Sequence, residues 1–253
     1  MRNLNVWSLV LVGLLAAAPA AAADFSVSPT RAELSKQKPV ETLTLLSNED
    51  RDIFFEVQLM KWSMTNGDWQ VVPSKDLVAT PGLLRMPARG KGLLRIGFKP
   101  GEKADFIAPA TEGTYRLIVR ETEGPPAPSG VSRVQVLTEV NLPVFILPAS
   151  PVQNFEIVSA TRSGTGVQLA VKNSGNVRLQ PQPVKVEFQD GSGKAVAPET
   201  TQEGVNAYIL GGGNGKWQLN WPSPTTCKAA VQVKITPESP KKSVVVPLTG
   251  ACP

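Results

Sequence analysis

The segment Val134–Leu147 reads VQVLTEVNLPVFIL and decides how the fold of this chain is interpreted. Because successive side chains of a β-strand point to opposite faces, its period of two predicts a strand with one apolar face. The segment is about 14 residues long, more than twice the length of a typical strand. The even-numbered positions form the predicted apolar row and hold Val134, Val136, Thr138, Val140, Leu142, Val144 and Ile146.

A strand of this length has two interpretations. Either it fills the core of its own sandwich, or its excess length and apolar face serve another chain. Pro143 favours an edge position, because proline has no N–H to donate to a neighbouring strand. An exposed apolar edge is normally an aggregation hazard. Its presence here therefore favours an edge that a partner uses.

Short β-rich segments separated by turn residues occupy the rest of the chain. Their spacing in each half predicts an all-β protein of two immunoglobulin-like β-sandwich domains, over residues 24–148 and 149–253. The segment Leu147–Pro151 reads LPASP and predicts the hinge between them. The predicted strands besides the long one are Phe25–Leu34, Glu41–Leu46, Ile53–Lys61, Gly92–Phe98, Thr114–Glu121, Phe155–Ala160, Val167–Lys172, Val184–Gln189, Ala207–Leu210, Lys216–Trp221, Ala229–Ile235 and Ser243–Leu248.

Residues 1–23 have the pattern of a secretory signal peptide. Arg2 precedes the apolar segment Val6–Ala18, and small residues surround the expected cleavage site after Ala22 or Ala23. The apolar segment is shorter than the run of about 20 residues that spans a membrane. No later segment is long and apolar enough to do so, so the mature chain is expected to be exported without a membrane span.

The composition excludes most catalytic devices. The chain has no histidine, which excludes Ser-His-Asp and Cys-His triads and imidazole metal sites. Two cysteines cannot complete a structural zinc site. In an exported protein Cys227 and Cys252 are most simply one structural disulfide; a redox-active pair is the alternative, although C-x-x-C is absent. The net charge is +5 without a clustered basic segment, so nucleic acid is not expected as a partner.

One short segment matches a catalytic motif. Ser239–Lys242 reads SPKK and fits the S-x-x-K pattern of Ser-Lys acyl enzymes. That motif needs a helix to aim its lysine at its serine, whereas Pro240 between strand segments favours a turn. The chain is therefore not expected to be an enzyme or to need a cofactor or metal.

A series of short motifs extends over nearly the whole chain. In their order and spacing they resemble the PapD-like periplasmic chaperones of pilus assembly, whose two immunoglobulin-like domains form an L shape. The motifs are Ser28–Arg31 (SPTR), Trp62 with Gly67, Pro73–Pro81 (PSKDLVATP), Leu94–Ile96 (LRI), Gly113–Leu117 (GTYRL), Leu142–Pro148 (LPVFILP), and Asn173–Asn176 (NSGN) followed by Val184–Gly193.

The resemblance implies a function by binding. Such a chaperone binds and stabilises pilus subunits in the periplasm by donor-strand complementation, delivers them to an outer-membrane usher, and self-associates when it is free of subunit. The long strand would be the donor strand, added to the subunit's sheet. The side chains expected to fill the subunit's groove are Val134, Val136, Thr138, Val140, Leu142 and Val144.

The resemblance also implies a cation that binds the subunit's C-terminal carboxylate. Arg31 is the first candidate. Arg95 and Arg116 are candidates for a second cation, although an ion pair within the sandwich is the alternative for both. Classical members carry a lysine late in the donor strand, paired with the first-strand arginine, where this chain has Pro143. This departure, with the tryptophan-containing segment and the LPVF ending, resembles the archaic, or alternative, branch of the family.

Two other classes of exported protein remain as alternatives. The first is a two-domain surface or structural protein, such as a pilus subunit or adhesin, which receives a strand instead of lending one. A subunit is expected to carry an alternating N-terminal extension after the leader, and Asp24–Thr30 is too short for one. The second is a carbohydrate-binding module, in which Trp62, Trp69 or Trp217 would be exposed platforms.

Overall fold

The alternating segments of both halves form β-strands in the computed structural model, which describes residues 23–65, 68–122, 136–205 and 207–252. Nearly all of its regular structure is β, with two short helices in these ranges, and this confirms the all-β fold class. None of the helices in the described ranges has the length and apolar character needed to cross a membrane. Residues 1–22 of the signal peptide predicted over residues 1–23, and Val134 of the predicted donor strand, lie outside the described residues.

The N-terminal half is a sandwich of two sheets. One sheet has the strand order β1-β3-β8-β6 and the other β2-β10-β9-β4-β5, with β7 beside β4. The predicted strand Phe25–Leu34 is thus divided between the two sheets. The elements are β1 (Phe25–Ser28), β2 (Ala32–Leu34), β3 (Val40–Ser47), β4 (Ile53–Thr65), β5 (Asp68–Pro73), β6 (Leu77–Thr80), β7 (Leu83–Met86), β8 (Lys91–Phe98), α1 (Ala104–Ile107), β9 (Gly113–Glu121) and β10 (Glu139–Ile146).

The C-terminal half has its strands in the order β14-β13-β16-β17-β11-β12-β15. The predicted strand over residues 207–210 does not form, and Ile209 makes an isolated bridge to Leu179 instead. The elements are β11 (Phe155–Ser163), β12 (Gly166–Asn173), β13 (Val184–Gln189), β14 (Thr200–Gln202), β15 (Asn214–Asn220), α2 (Pro224–Ala229), β16 (Gln232–Pro237) and β17 (Val244–Thr249).

Each half buries its own apolar core. Alternate residues of the N-terminal strands, such as Leu43, Leu94 and Leu117, form one cluster. Phe155 and Trp217 belong to a separate cluster in the C-terminal half. Two independent cores are the packing expected of a two-domain all-β chain.

The long alternating segment forms β10, whose described length is shorter than predicted. The strand covers Glu139–Ile146, and the described residues before it, 136–138, are not in a strand. Leu142 and Val144 are buried in the N-terminal core. The interpretation of Leu142 and Val144 as groove-filling residues is therefore wrong, because flanking strands enclose this part of the apolar row within the protein's own sandwich.

Pro143 lies where a paired edge of β10 becomes an open one. On one side, β9 pairs with the whole of β10 in antiparallel orientation. On the other side, β2 pairs in parallel with Val144–Ile146. Among the described residues, Glu139–Pro143 have no strand on that second side. The edge position that the proline predicts is confirmed for this part of the strand.

Cys227 in α2 and Cys252 form the predicted disulfide. It closes a loop with a sequence separation of 25. Replacing both cysteines with alanine is expected to lower the free energy of unfolding of the C-terminal half by about 3 kcal/mol, because the unfolded chain regains loop entropy. Urea unfolding followed by circular dichroism measures this loss. A double variant as stable as the parent protein would contradict it.

Candidate functional site

The backbone groups of β10 alternate between its two sides. The N–H of Glu121 in β9 donates to the carbonyl of Thr138 at 2.8 Å. On the opposite side of β10, the N–H of Leu147 donates to the carbonyl of Leu34 in β2 at 2.8 Å. Because the N–H and carbonyl of one strand residue point to the same side and alternate along the strand, even-numbered residues pair with β9. Odd-numbered residues face β2 or the open edge.

The open edge therefore presents the N–H and carbonyl groups of Glu139 and Asn141. It ends at Pro143, which has no N–H and whose carbonyl faces the start of β2, where Val144 pairs with Ala32. The missing N–H faces away from β9, so it leaves the ladder with β9 intact. Immediately before the strand, Val136 and Leu137 are 44% and 38% exposed. An unpaired main-chain edge that continues into exposed apolar residues is the arrangement that β-augmentation uses.

An aromatic cluster covers the outer face of the same sheet and contacts the C-terminal half. Phe145 of β10 and Trp62 of β4 pack with Leu210, and Met64 and Tyr208 border them. The ring centroids of Trp62 and Phe145 are 6.2 Å apart, and those of Trp62 and Tyr208 are 5.7 Å apart. This face of the N-terminal sheet is therefore part of the contact between the two halves.

The tryptophans considered as carbohydrate platforms are mostly buried. Trp62 and Trp217 are each 1% exposed, whereas Trp69 is 48% exposed. A ring enclosed by protein cannot stack on a sugar from solvent. The structure therefore corrects the platform interpretation for Trp62 and Trp217, because each ring lies inside an apolar cluster.

Arg116 lies on the outer face beside the aromatic cluster, directly opposite Pro143 in the register of β9 and β10. Its guanidinium carbon is 3.8 Å from the centre of the Trp62 ring and 5.5 Å from that of Trp69. These cation–π contacts hold the cation against the rings. Burial lowers the pKa of Arg116 from its ordinary value, yet arginine stays protonated at neutral pH. The ion pairs of the described residues do not include it.

Arg31 lies on the other side of Pro143. It directly precedes β2, in which Ala32 pairs with Val144. One step back in this parallel register places Arg31 beside Pro143. Since Ala32 is fully buried, alternation puts the Arg31 side chain on the outer face. The two arginines, Arg31 and Arg116, therefore flank the same residue of the donor strand on the same face of the sheet.

The Arg31 side chain already has partners in the free protein. Its Nε lies 3.2 Å from Glu33 Oε1, and the Arg31 side chain is 46% exposed. Its Nη1 donates to Gln180 Oε1 of the C-terminal half at 3.1 Å. Arg31 thus lies at the boundary between the halves, with part of its charge balanced by Glu33.

Arg95 lies elsewhere in the N-terminal half. It is on β8, in the sheet that does not contain β10. Its neighbours Leu94 and Ile96 are fully buried, so Arg95 points outward, between Thr42 and Thr80 of the adjacent strands. The structure therefore corrects the candidate role of Arg95 beside the donor strand, because its sheet faces away from that strand.

An ion-pair network joins the two halves next to Phe145. The guanidinium of Arg178 donates to the carboxylates of Glu112 and Glu33. Its backbone N–H donates to Glu112 Oε2 at 3.0 Å, and its guanidinium carbon lies 3.6 Å from the Phe145 ring centre. Burial raises the pKa of Glu112, while the charge of Arg178 acts in the opposite direction. Since Glu33 also pairs with Arg31, the network extends to the arginine that lies beside Pro143.

The sequence did not single out Glu33, Glu112 or Arg178. Glu33 lies two residues after the SPTR motif, and Glu112 directly precedes the GTYRL motif. Proximity to these motifs is only a weak indication that the two glutamates belong to the site. No local pattern indicates Arg178, because its bond to Glu112 crosses a sequence separation of 66.

The family comparison agrees with this geometry. Residues 24–151 match the family described as pili and flagellar-assembly chaperone, PapD N-terminal domain. This range contains β10, its open edge and both flanking arginines. No curated protein sequence matches the chain significantly.

Solved structures with low sequence identity share the whole fold. The class 5 fimbriae chaperone CfaA is 16% identical with a TM-score of 0.58, covering 90% of this chain and 100% of that chain. A chain of the Salmonella enterica complex of SafA pilin with the SafB chaperone is 14% identical with a TM-score of 0.55, covering 85% and 89%. A chain of the CsuC–CsuE pre-assembly complex from the archaic Csu pili of Acinetobacter baumannii is 16% identical with a TM-score of 0.52, covering 90% and 100%.

These likenesses extend beyond the matched N-terminal range to both halves of the chain. They confirm the two-domain all-β fold of the fimbrial chaperones. The family match itself covers half of the sequence, including the donor strand. The chain therefore belongs to the family of pili and flagellar-assembly chaperones.

Proposed function

We propose that this chaperone binds an incomplete immunoglobulin-like pilus subunit by adding the open edge of β10 to the subunit's sheet, and delivers it to an outer-membrane usher. One observation carries the proposal: the open edge Glu139–Pro143 ends between two arginines on one face of the sheet. Such an edge supplies main-chain hydrogen bonds to a guest strand. Two similar structures are complexes, of SafA pilin with SafB and of CsuC with CsuE, and the proposal extends that kind of partner to this chain.

The side chains for the subunit's groove come from the apolar row before the protein's own core begins. Leu142 and Val144 belong to that core, so they are not available. Each aliphatic side chain that a groove buries completely contributes about 1.5–3 kcal/mol before association costs. We assign groove filling to Val134 and Val136, while Thr138, whose Oγ1 is buried in the free protein, lies at the boundary between groove and core.

The carboxylate anchor in this proposal is formed by Arg116 and Arg31. Arg116 is charged and held by aromatic rings, with no acidic partner in the described ranges. A C-terminal carboxylate that reaches Pro143 accepts charge-assisted hydrogen bonds from both sides. The pair takes the place of the lysine that classical members carry at this position. On this departure, and on the LPVF ending, we assign the chain to the archaic branch.

The proposal includes export to the periplasm, with the signal peptide cleaved after Ala22 or Ala23. It divides the mature chain into a domain over residues 24–148 and a domain over residues 149–253. Two observations support the division: the cores of the halves are separate, and no regular element lies between Ile146 and Phe155.

A pull-down from periplasm, followed by mass spectrometry, tests the function and the anchor together. The wild-type chain is expected to recover a pilus subunit that lacks its last strand. Arg116→Ala is expected to lower recovery by roughly 10- to 100-fold, since a charge-assisted hydrogen bond contributes about 1.5–3 kcal/mol. Arg31→Ala is expected to act in the same direction. Arg95→Ala is the matched control and leaves recovery unchanged.

The pull-down distinguishes an error in the assigned carboxylate anchor from an error in the proposed function. Undiminished recovery with the double variant of Arg31 and Arg116 would place the anchor elsewhere. A wild-type chain that recovers no pilus subunit would contradict the proposed function. Thermal unfolding of each variant shows whether lost capture reflects a lost fold, because Arg116 also covers Trp62.

A further inference from the structure

Glu121 occupies a core-facing position at the end of β9. The residues before it on the same face, Tyr115, Leu117 and Val119, are buried and apolar or aromatic. Glu121 is also buried, with 1% of its surface exposed. A carboxylate in such a position costs several kcal/mol of solvation unless it is paired and hydrogen-bonded. Its bonding partners therefore indicate why this position is not another apolar residue.

One partner is the donor strand itself. Glu139 pairs with Arg120, so the next pair in the ladder is Thr138 with Glu121. The N–H of Glu121 donates to the Thr138 carbonyl at 2.8 Å, as a continued ladder requires. The N–H of Thr138, however, donates to Glu121 Oε2 at 3.2 Å. A side-chain oxygen replaces the main-chain carbonyl as acceptor, and the regular ladder between β9 and β10 ends there.

The other partner fixes the carboxylate in place. Arg51 donates through Nη2 to Glu121 Oε1 at 3.0 Å, and the Arg51 side chain is 50% exposed. Both carboxylate oxygens are therefore bonded, one to a cation at the rim of the core and one to the donor strand. The Oγ1 of Thr138 is buried without a hydrogen-bond partner among the described residues. Thr138 is thus held through its main-chain carbonyl and N–H, and Glu121 is the partner of both.

We infer that Glu121 is a positioning residue that ends the protein's own sheet at Thr138 and directs the preceding residues toward the bound subunit. This inference rests on the proposed function, because it concerns the same donor strand. The hydrogen bond stands at a boundary in the apolar row: Leu142 is in the core, Val140 packs against it, and Val136 is exposed. With the ladder ended, Val136 has no main-chain partner in β9, and its exposed side chain is available to the subunit's groove.

Amide hydrogen exchange on the free full-length chaperone tests the bond. Glu121→Val removes the acceptor and leaves an apolar core residue, whereas Glu121→Gln keeps an acceptor oxygen. The Thr138 amide is expected to exchange at least about tenfold faster in Glu121→Val, and within about threefold of wild type in Glu121→Gln. The Leu142 amide is the internal reference and keeps its protection in both.

Subunit capture tests the consequence, with the subunit recovered by the wild-type chain as the probe. Glu121→Val is expected to lower capture at least about tenfold, and Glu121→Gln is expected to restore it. Arg120→Gln is the matched control. It removes the neighbouring ion pair with Glu139, which measures 2.7 Å, from the β9 side on the exposed face of the same two strands, and it leaves both readouts unchanged.

A second disrupting variant covers the case in which Glu121→Val fails to fold. Thr138→Pro deletes the same N–H without changing the carboxylate and is expected to lower capture to the same extent. Unchanged Thr138 exchange in Glu121→Val, equal loss of capture in Glu121→Val and Glu121→Gln, or full capture by folded Thr138→Pro would each overturn the inference. The hydrogen-exchange experiment uses the free chaperone without any subunit. A negative result there contradicts the role of Glu121 and is independent of whether the proposed function is correct.

Discussion

Val136→Asp is expected to abolish detectable subunit capture and to leave the free chaperone folded. Val136 is 44% exposed and precedes β10, so the free protein loses no core contact. In the proposed complex the subunit's groove buries this side chain. An aspartate would place an unpaired charge there, which costs several kcal/mol. Co-purification from periplasm measures capture, and circular dichroism measures the fold.

Leu142→Asp is the matched substitution on the same row and is expected to fail in a different way. Leu142 is 6% exposed within the N-terminal core. Its replacement by a charge removes about 4 kcal/mol or more of stability. The N-terminal half is then expected to be unfolded and sensitive to protease. A folded Leu142→Asp protein would contradict the core position, and normal capture by Val136→Asp would contradict the groove position.

Arg178→Met is expected to weaken the contact between the two halves by about 3–5 kcal/mol, because removing one partner of a buried ion pair leaves an uncompensated charge. The Arg178 side chain is 9% exposed, and that of Glu112 is 0% exposed. The substitution also removes the cation from the Phe145 ring. Calorimetry is expected to show the unfolding transitions of the two halves moving apart.

Two further variants show whether the lost stability comes from the unpaired buried charge or from the loss of any ion pair on this sheet. Arg120→Met removes an exposed pair with Glu139 on the same sheet, and such pairs contribute about 1 kcal/mol or less. Adding Glu112→Gln to Arg178→Met is expected to restore part of the lost stability, since it removes the buried charge. An Arg178→Met protein with the stability of the parent would show that the network does not hold the halves together.

Strands with regular alternation and a buried face could be predicted closely from the sequence. Val184–Gln189 has the bounds that the sequence predicts. The strand β5 was missed, because all its residues are exposed and no burial pattern marks it. Its pairing to β4 through residues 60–65 creates it, and such pairing depends on contacts that a local pattern does not contain.

The arginines of the site show the same limit. Arg95 and Arg116 both lie between apolar residues in similar short motifs, so the sequence treats them alike. Strand pairing separates them: β9 lies beside β10, whereas β8 lies in the opposite sheet. Arg31 could be predicted from its motif, but its relation to Arg116 depends on the register of both neighbours of β10.

The alternation of the apolar row in Val134–Leu147 was predicted correctly. What the pattern did not show is which of its residues enter the protein's own core and which remain for a partner. Alternation indicates which residues share a face, and it does not indicate which protein's core they enter. That division depends on how far β2 and β9 extend along β10. For Leu142 and Val144 the flanking strands place the side chains inside, whereas Val136 lies beyond the last paired residue.

The proline on the open edge also limits how far any guest strand can pair. Asn141 offers both a hydrogen-bond donor and an acceptor to a visitor, whereas Pro143 has no hydrogen on its nitrogen. Main-chain pairing therefore loses a bond at the same residue for every visiting strand, whatever side chains that strand carries. This limit lies in the backbone and does not depend on the guest's sequence, so guest strands with different side chains are expected to stop pairing at the same residue.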